Sequence, residues 1–509
     1  MEETSNNRMQ GLRAHEANIQ AGQLIYNLMK STLGPKGMDK MILHPSGKVT
    51  ITNDGVTILN EMQIGQPAAK MIAEAAQTQE EEIGDGTTTV AMLAGKLLEN
   101  AGVLIKKNIH PTTISKGYIL AMKKCKEFLE ELAIKNLSKD QLIHISTTAL
   151  TGKGAEEHKE LLSKLVVKAV LQAKEKENIK IERVKGKSIE DSELIEGMVL
   201  PNPVLLESMP KKVKNAKILL ADFDLQIKNP EMDVQAQVSS PDQLREFAER
   251  DKADLDEMIN KIINTKASVV ICQKGIDDYV QQKLAENNIM AIRRLAKYDM
   301  DHLALATNGV LCSGIDQISE KILGNAGLVE EEKNKEGSLI YVRDCPNKKA
   351  ICILLCGTTS HVLDEIRRAV TDSLGDVIDC YIENKAVQGG GAIEMALSKR
   401  LKEYSTELGG REQLAVEEFA NALESIPQAL AENAGLDSIN VLTELKNKHK
   451  KSNNYGLNLF TNKIEDVVKA GIIEPLKIKS QAISSATEVS TMVLRIDDIL
   501  AAKEFENAQ

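Results

Sequence analysis

The chain has 509 residues, a length that implies roughly three domains, and its 42% hydrophobic and 27% charged residues are the balance of a globular protein. A formal net charge of −10 and a pI near 5.6 argue against a general nucleic-acid binder, and 3% aromatics with no Trp argue against base-stacking platforms. Seven scattered Cys without metal-ligand spacing argue against a zinc module and fit a reducing compartment.

The start, Met1-Glu2-Glu3-Thr4-Ser5, has no basic or apolar leader. No apolar run approaches the roughly 20 residues that span a bilayer, so the expected location is cytoplasmic, with no membrane partner. The spacing then predicts a helix over 14–32, followed by the turn Leu33-Gly34-Pro35-Lys36-Gly37. Val49-Thr50-Ile51-Thr52 reads as the β-branched strand of a hairpin, with Asp54-Gly55 as its turn. A helix over 67–83 puts Ala68, Met71, Ile72, Ala75 and Ala76 on one face.

Gly84-Asp85-Gly86-Thr87-Thr88-Thr89 comes next, at the mouth of a long amphipathic helix. Its stripe is Val90, Leu93, Ala94, Leu97, Leu98, Ala101, Leu104 and Ile105. A helix N-terminus offers free backbone N–H groups and partial positive charge, both suited to phosphate. Asp85 suits a hard cation such as Mg²⁺ that bridges a carboxylate and a nucleotide phosphate. Taken alone, the segment reads more simply as a capped helix after a Gly turn. Pro111 opens a further helix that turns Ile114, Tyr118, Ala121, Cys125, Phe128, Leu129 and Leu132 inward.

The middle, about 210–356, changes character. Apolar runs at 218–223, 268–273, 339–342 and 351–355 alternate with helical stretches such as 241–266 and 276–287, a separate α/β domain. Cys352 and Cys356 flank the last run as parts of a buried strand. Residues 226–240 form a polar excursion, and the apolar stripe of the following helix is broken by Asp251, which suggests a segment that projects. From Gly389 the chain is helical again. Helices at both ends around an α/β middle predict one terminal domain built from both ends, with the middle inserted.

Two decoys drop out. Gly186-Lys187-Ser188 is no P-loop, because Ile181 stands where Gly is needed, and Gly389-Gly390-Gly391 lacks the later Gly of a dinucleotide fingerprint. What remains is a set of four Gly-associated turns at Gly34-Pro35, Asp54-Gly55, 84–89 and 389–392. With TLGPKGMDKM (32–41), TNDGVTIL (52–59), GDGTTTVA (84–91), TGKGAE (151–156), MPKKV (209–213), QKGIDD (273–278), LAENAGLD (430–437), GIIEPL (471–476) and LRIDDI (494–499), the chain resembles a group II chaperonin subunit. The resemblance covers essentially the whole length and leans towards the archaeal thermosome rather than the eukaryotic TCP-1 type.

The resemblance implies a multidomain fold. A mainly α-helical equatorial ATPase domain would take 1–137 and 390–509, and a small α/β intermediate hinge domain 138–206 and 349–389. An α/β apical domain would take 207–348, with a helical lid protrusion at about 226–266. It implies ATP and Mg²⁺ as cofactors. Leu33, Gly34 and Pro35 would wrap the phosphates, Asp85 would hold Mg²⁺, and Gly86, Thr87, Thr88 and Thr89 would cradle phosphate. Asp54 would help place the attacking water, and Lys153 would sense the γ-phosphate. Gly390, Asn458 and Glu474 would lie near the nucleoside. Asp372, 17 residues before the Gly triplet, would orient or deprotonate the water once a hinge delivers it.

The resemblance further implies an ATP-driven chaperone that encloses non-native proteins in two stacked rings. The rings would be of identical or paralogous subunits, closed by a built-in lid without a separate co-chaperonin. One departure is local: Glu383-Asn384-Lys385 stands where the family commonly has Glu-Asp-Gly, which leaves open a nucleotide-binding ring subunit with weak hydrolysis. The C-terminal Glu504-Phe505-Glu506-Asn507 also lacks the Gly/Met-rich tail of many relatives. A reading from another class is a monomeric small-molecule phosphotransferase using Asp85 and Asp54.

Overall fold

The structure is a computed structural model that describes residues 8–44, 47, 49–62, 64–153, 156–226, 241–334 and 337–500. Most of the polar excursion, with the tip of the expected lid, lies outside the described residues, as do Gly154, the first five residues and 504–507. The chain divides into two compact units, Met1–Ser163 with Arg368–Gln509, and Lys164–Arg367.

The first unit opens with β1 (Arg8–Gln10), α1 (Leu12–Met29), β2 (Lys40–Leu43), β3 (Val49–Thr52), α2 (Gly55–Glu61) and α3 (Pro67–Glu82). It continues through α4 (Thr87–Lys106), α5 (Pro111–Leu132), β4 (Ile134–Lys135) and α6 (Lys139–Leu150), and α7 (Lys159–Ala173) leads into the second unit. There the order is β5 (Ile179–Lys185), β6 (Glu193–Ile195), β7 (Gly197–Leu200), β8 (Lys212–Ala221), α8 (Pro241–Asn264), β9 (Val269–Cys272) and α9 (Asp278–Glu286). β10 (Met290–Ile292), α10 (Lys297–Thr307), β11 (Gly324–Asn334), β12 (Gly337–Arg343) and β13 (Ile351–Gly357) follow. The return runs through α11 (Ser360–Glu383), β14 (Lys385–Gln388), α12 (Ala392–Ser405), α13 (Glu412–Leu423), α14 (Ser425–Asn433) and α15 (Ser438–Lys448). β15 (Tyr455–Asn458), β16 (Lys463–Asp466), β17 (Ile473–Pro475), α16 (Leu476–Leu494) and β18 (Asp498–Leu500) complete it.

Helix α4 is the axis of the first unit. Its 20 residues are long and apolar enough to cross a membrane by length and composition, which corrects the expectation that no run approaches that size. The apolar surface is instead used internally: Val90, Leu93, Ala94, Leu97, Leu98, Ala101 and Leu104 are buried. At about 1.5–3 kcal/mol per fully buried large aliphatic side chain, this stripe is a main source of the unit's stability. Small residues set the spacing. A Cβ on Gly95 would lie 2.4 Å from the Gly22 carbonyl oxygen, and one on Gly22 would lie 2.8 Å from Leu98 Cδ1, so α1 and α4 meet nearly backbone to backbone. Tyr118 of α5 donates its hydroxyl to the Leu97 carbonyl at 2.8 Å and meets Phe419 edge-on at 5.6 Å between ring centroids.

Strand β1 pairs with β18, and β14 is flanked by β17 and β4, so strands from the two chain ends share sheets. The second unit carries a six-stranded sheet in the order β10-β9-β8-β11-β12-β7, parallel across β10-β9-β8 and antiparallel beyond. A second sheet, β5-β13-β6, has β13 buried along its full length, as the run at 351–355 predicts. All seven Cys are buried and unpaired.

Candidate functional site

Asp54-Gly55 is not a hairpin turn. The β2–β3 hairpin turns before Val49, and Asp54 is the N-cap of α2. Its Oδ2 accepts from the Thr57 backbone N–H at 2.9 Å and the Thr57 hydroxyl at 2.6 Å. Asp serves a turn and an N-cap equally well, and the apolar Ile58 and Leu59 behind it decide for the helix.

Backbone clearances bring the separate motifs together. A Cβ on Gly55 would lie 2.8 Å from Thr88 Oγ1 and 3.1 Å from Thr87 Oγ1, so the start of α2 abuts the start of α4. One on Gly152 would lie 2.4 Å from Pro35 Cα, and Asn53 Nδ2 donates to the Gly152 carbonyl at 3.4 Å. The Leu33-Gly34-Pro35 turn is pinned by Asn433, whose Nδ2 donates to the Leu33 carbonyl at 2.8 Å and the Lys30 carbonyl at 2.9 Å. Gly86 caps α4 in the left-handed region (φ 86°), without a side-chain cap on the helix N-terminus. The backbone N–H groups of the first turn, at Thr87, Thr88 and Thr89, therefore remain available as donors.

Helix α11 supplies the acid at the centre. Asp372 Oδ2 lies 2.5 Å from Lys153 Nζ. Ser373 and Ser146 share a buried hydroxyl contact at 2.7 Å that ties α11 to α6, and Lys477 reaches Asp379 at 2.9 Å. At Gly375 the helix comes close to the Ile83 carbonyl oxygen, which would lie 3.3 Å from a Cβ there. Burial pushes the Asp372 carboxyl up to about 6, against the attraction of Lys153 and with the help of Asp85 and Asp54. Burial disfavours the Lys153 charge, yet Asp85 and Asp372 outweigh it and hold the ammonium above its ordinary range.

Two acids that sequence reasoning missed belong here. Glu80 of α3 is pushed up to about 7 by burial, then by Asp372, Asp54 and Asp85. Asp376 lies one turn after Asp372, is only 3% exposed, and stays well above the usual carboxylate range through burial and the nearby Asp85 charge. The available signal was the spacing of four between Asp372 and Asp376, which shares one helix face.

Gly390, Asn458 and Glu474 form a second cluster. A Cβ on Gly390 would lie 2.7 Å from the Leu457 carbonyl oxygen, and Val387 is paired with Glu474 across β14–β17. Glu474 lies 2.6 Å from Lys479, which also meets Glu394 at 2.8 Å. Burial raises the Glu474 carboxyl, Lys479 opposes this, and Glu394 and Asp85 add to it, so Asp85 couples the two clusters. The Asn458 side chain is engaged locally: Nδ2 donates to Glu465 at 2.5 Å, and Oδ1 accepts from the Phe460 N–H at 2.9 Å.

Asp54, Asp85, Asp372, Asp376 and Glu80 interact around one cation, Lys153. This surplus of carboxylates suits a hard cation. Among the described residues no three carboxylate, imidazole or thiol side chains converge at ligand distance, so Mg²⁺ would take one or two carboxylates and complete its shell with phosphate and water. The residues fit that pattern.

Asn384 keeps the turn that the Glu383-Asn384-Lys385 departure puts in question. It adopts φ 55°, which Asn tolerates, and its Oδ1 accepts from the Leu137 N–H at 2.8 Å. Lys385 pairs with Glu130 at 2.7 Å.

With the helical unit and the clustered site established, comparison with known proteins gives the class. Residues 25–504 match the TCP-1/cpn60 chaperonin family, and the chain belongs to it. It is 48% identical over 512 residues to thermosome subunit beta of Archaeoglobus fulgidus, covering 98% of this chain and 94% of the relative. It is 45% identical over 500 residues to thermosome subunit beta of Methanothermobacter thermautotrophicus, covering 97% and 93%. It is 44% identical over 504 residues to thermosome subunit alpha of the same archaeon, covering 98% and 93%. Within the family the chain is a group II chaperonin of mixed helix and sheet content, and its function is that of an ATP-dependent chaperone.

Proposed function

We propose that ATP is hydrolysed in the first unit and that this drives the enclosure and folding of non-native proteins. In this reading the α4 N-terminus and the Leu33-Gly34-Pro35 turn bind the phosphates, with Asp85 as the Mg²⁺ ligand. Mg²⁺, when bound, neutralises charge on the phosphates. Lys153 occupies Asp372 Oδ2, which leaves Oδ1 to orient the attacking water and take its proton, while Asp54 helps place that water. Lys153, freed or held according to the γ-phosphate, reports hydrolysis. Gly390, Asn458 and Glu474 flank the nucleoside. The observation that carries the reading is the 2.5 Å Asp372–Lys153 pair electrostatically linked to Asp85 and Asp54.

The three-domain division is part of the proposal: 1–137 with 390–509 binds ATP, 138–206 with 349–389 hinges, and 207–348 holds the client, with the lid at about 226–266. Two stacked rings of identical or paralogous subunits are proposed, and the alpha and beta thermosome relatives support a paralogous arrangement. The exposed Met41, Leu43 and Ile51 on the β2–β3 hairpin support a subunit contact there. Asn384 keeps the local turn, which favours full hydrolysis over the weak-hydrolysis alternative. Electron microscopy of the purified particle with and without ATP tests this, with double rings that close on ATP as the expected result. A particle near 56 kDa would refute it and support the phosphotransferase.

A further inference from the structure

Among the acids around Lys153, Asp376 is the buried one. Its Oδ1 is buried and meets no hydrogen-bond partner. Three acids of the site are already committed: Asp372 to Lys153 at 2.5 Å, Glu474 to Lys479 at 2.6 Å, and Asp54 to the Thr57 N–H at 2.9 Å. Among the described residues no hydrogen bond or ion pair engages the side chains of Asp376 or Asp85. A buried carboxylate oxygen left without a partner costs several kcal/mol, so an unseen partner is expected.

We propose that Asp376 and Asp85 together form a divalent-cation site that fills before nucleotide arrives. The inference rests on the reading of Asp85 as a cation ligand and goes beyond it. One carboxylate with phosphate holds Mg²⁺ only when ATP is present, whereas two carboxylates hold a hard cation without it. Lys153 attracts both acids but is paired with Asp372, and Asp85 is the strongest charge acting on Asp376. The Ile83 carbonyl oxygen, two residues before Asp85, comes close to α11 at Gly375, the residue before Asp376, so the two chain segments meet there. Water completes the shell, as the absence of a third converging side chain among the described residues requires. The ion enters ahead of nucleotide and sets the orientation of Asp85 before the phosphates arrive.

The test uses Mn²⁺ as the probe on the intact oligomer, by electron paramagnetic resonance and calorimetry without nucleotide. The expected result is one Mn²⁺ bound per subunit, displaced by Mg²⁺. Asp376→Asn and Asp85→Asn should each weaken it on the order of tenfold or more. No Mn²⁺ bound by the wild-type oligomer without nucleotide overturns the proposal and assigns a proton to Asp376. This holds even if neither variant assembles. Wild-type affinity in Asp376→Asn also overturns it. Mg-ATP binding measured in parallel separates the two readings: if it is retained while nucleotide-free Mn²⁺ binding is absent, only this inference fails.

Discussion

Asp372→Asn isolates the ionisable group on which hydrolysis is proposed to depend. In the fold its carboxyl rises from 3.8 to about 6, which corresponds to roughly 3 kcal/mol of penalty on the charged form. The Lys153 attraction already lies inside that figure. Because the folded-state value lies above the ordinary one, the folded protein binds the proton more tightly. The penalty is therefore fully present above about pH 6 and vanishes as the pH falls below the ordinary 3.8. Asn is neutral and similar in shape, so the variant should be more stable than wild type at pH 7 by up to about 3 kcal/mol, with the difference fading in acid. Its phosphate release should fall by about 10²–10⁴-fold while ATP binding persists. In the wild type, kcat/KM should lose activity as the pH falls through about 6, where Asp372 takes up its proton. Phosphate-release kinetics from pH 5 to 8 and melting curves at one scan rate supply the data. A variant less stable than wild type at pH 7, or a wild-type profile with no break between pH 5 and 7, would refute the reasoning.

Three further outcomes are expected. Lys153→Met removes the main attraction that opposes burial of Asp372, so the acid limb of the kcat/KM profile should move above pH 6. Gly152→Ala adds a Cβ 2.4 Å from Pro35 Cα at φ 76°, so the Gly34-Pro35 turn must shift, and ATP affinity, read by calorimetry, should fall on the order of tenfold. Tyr118→Phe loses the 2.8 Å bond to the Leu97 carbonyl inside the core and should lower the urea midpoint by a stability loss of about 1 kcal/mol, with nucleotide binding unchanged.

Much of the local structure was legible in the sequence. The apolar spacing after Thr89 matches α4, and Pro111 does begin α5. β13 also reads directly from its apolar run. Strands such as β11, rich in Gly, Glu and Asn, and the short β15, β16 and β17 gave no apolar run to read, because neighbouring strands rather than side-chain hydrophobicity define them. Asp54 reads as a turn residue in the sequence because turn and N-cap favour the same residue type.

The amino-acid order by itself determined which backbone positions could be tight: the glycines at 34, 86, 152 and 390 all take φ above zero, as does Asn384, a residue that tolerates it. It also determined helix periodicity, a local property set by each stretch of side chains. Only the tertiary structure decided that Pro35 meets Gly152, that Gly55 meets Thr88, and that Lys153 meets an acid more than two hundred positions away. It alone turned Asp376 from one more helix carboxylate into a buried one with an unpartnered oxygen. The reason is physical: burial and the charge of neighbours arise from chain segments remote in sequence, and these terms, not residue type, shift an acid from its ordinary range.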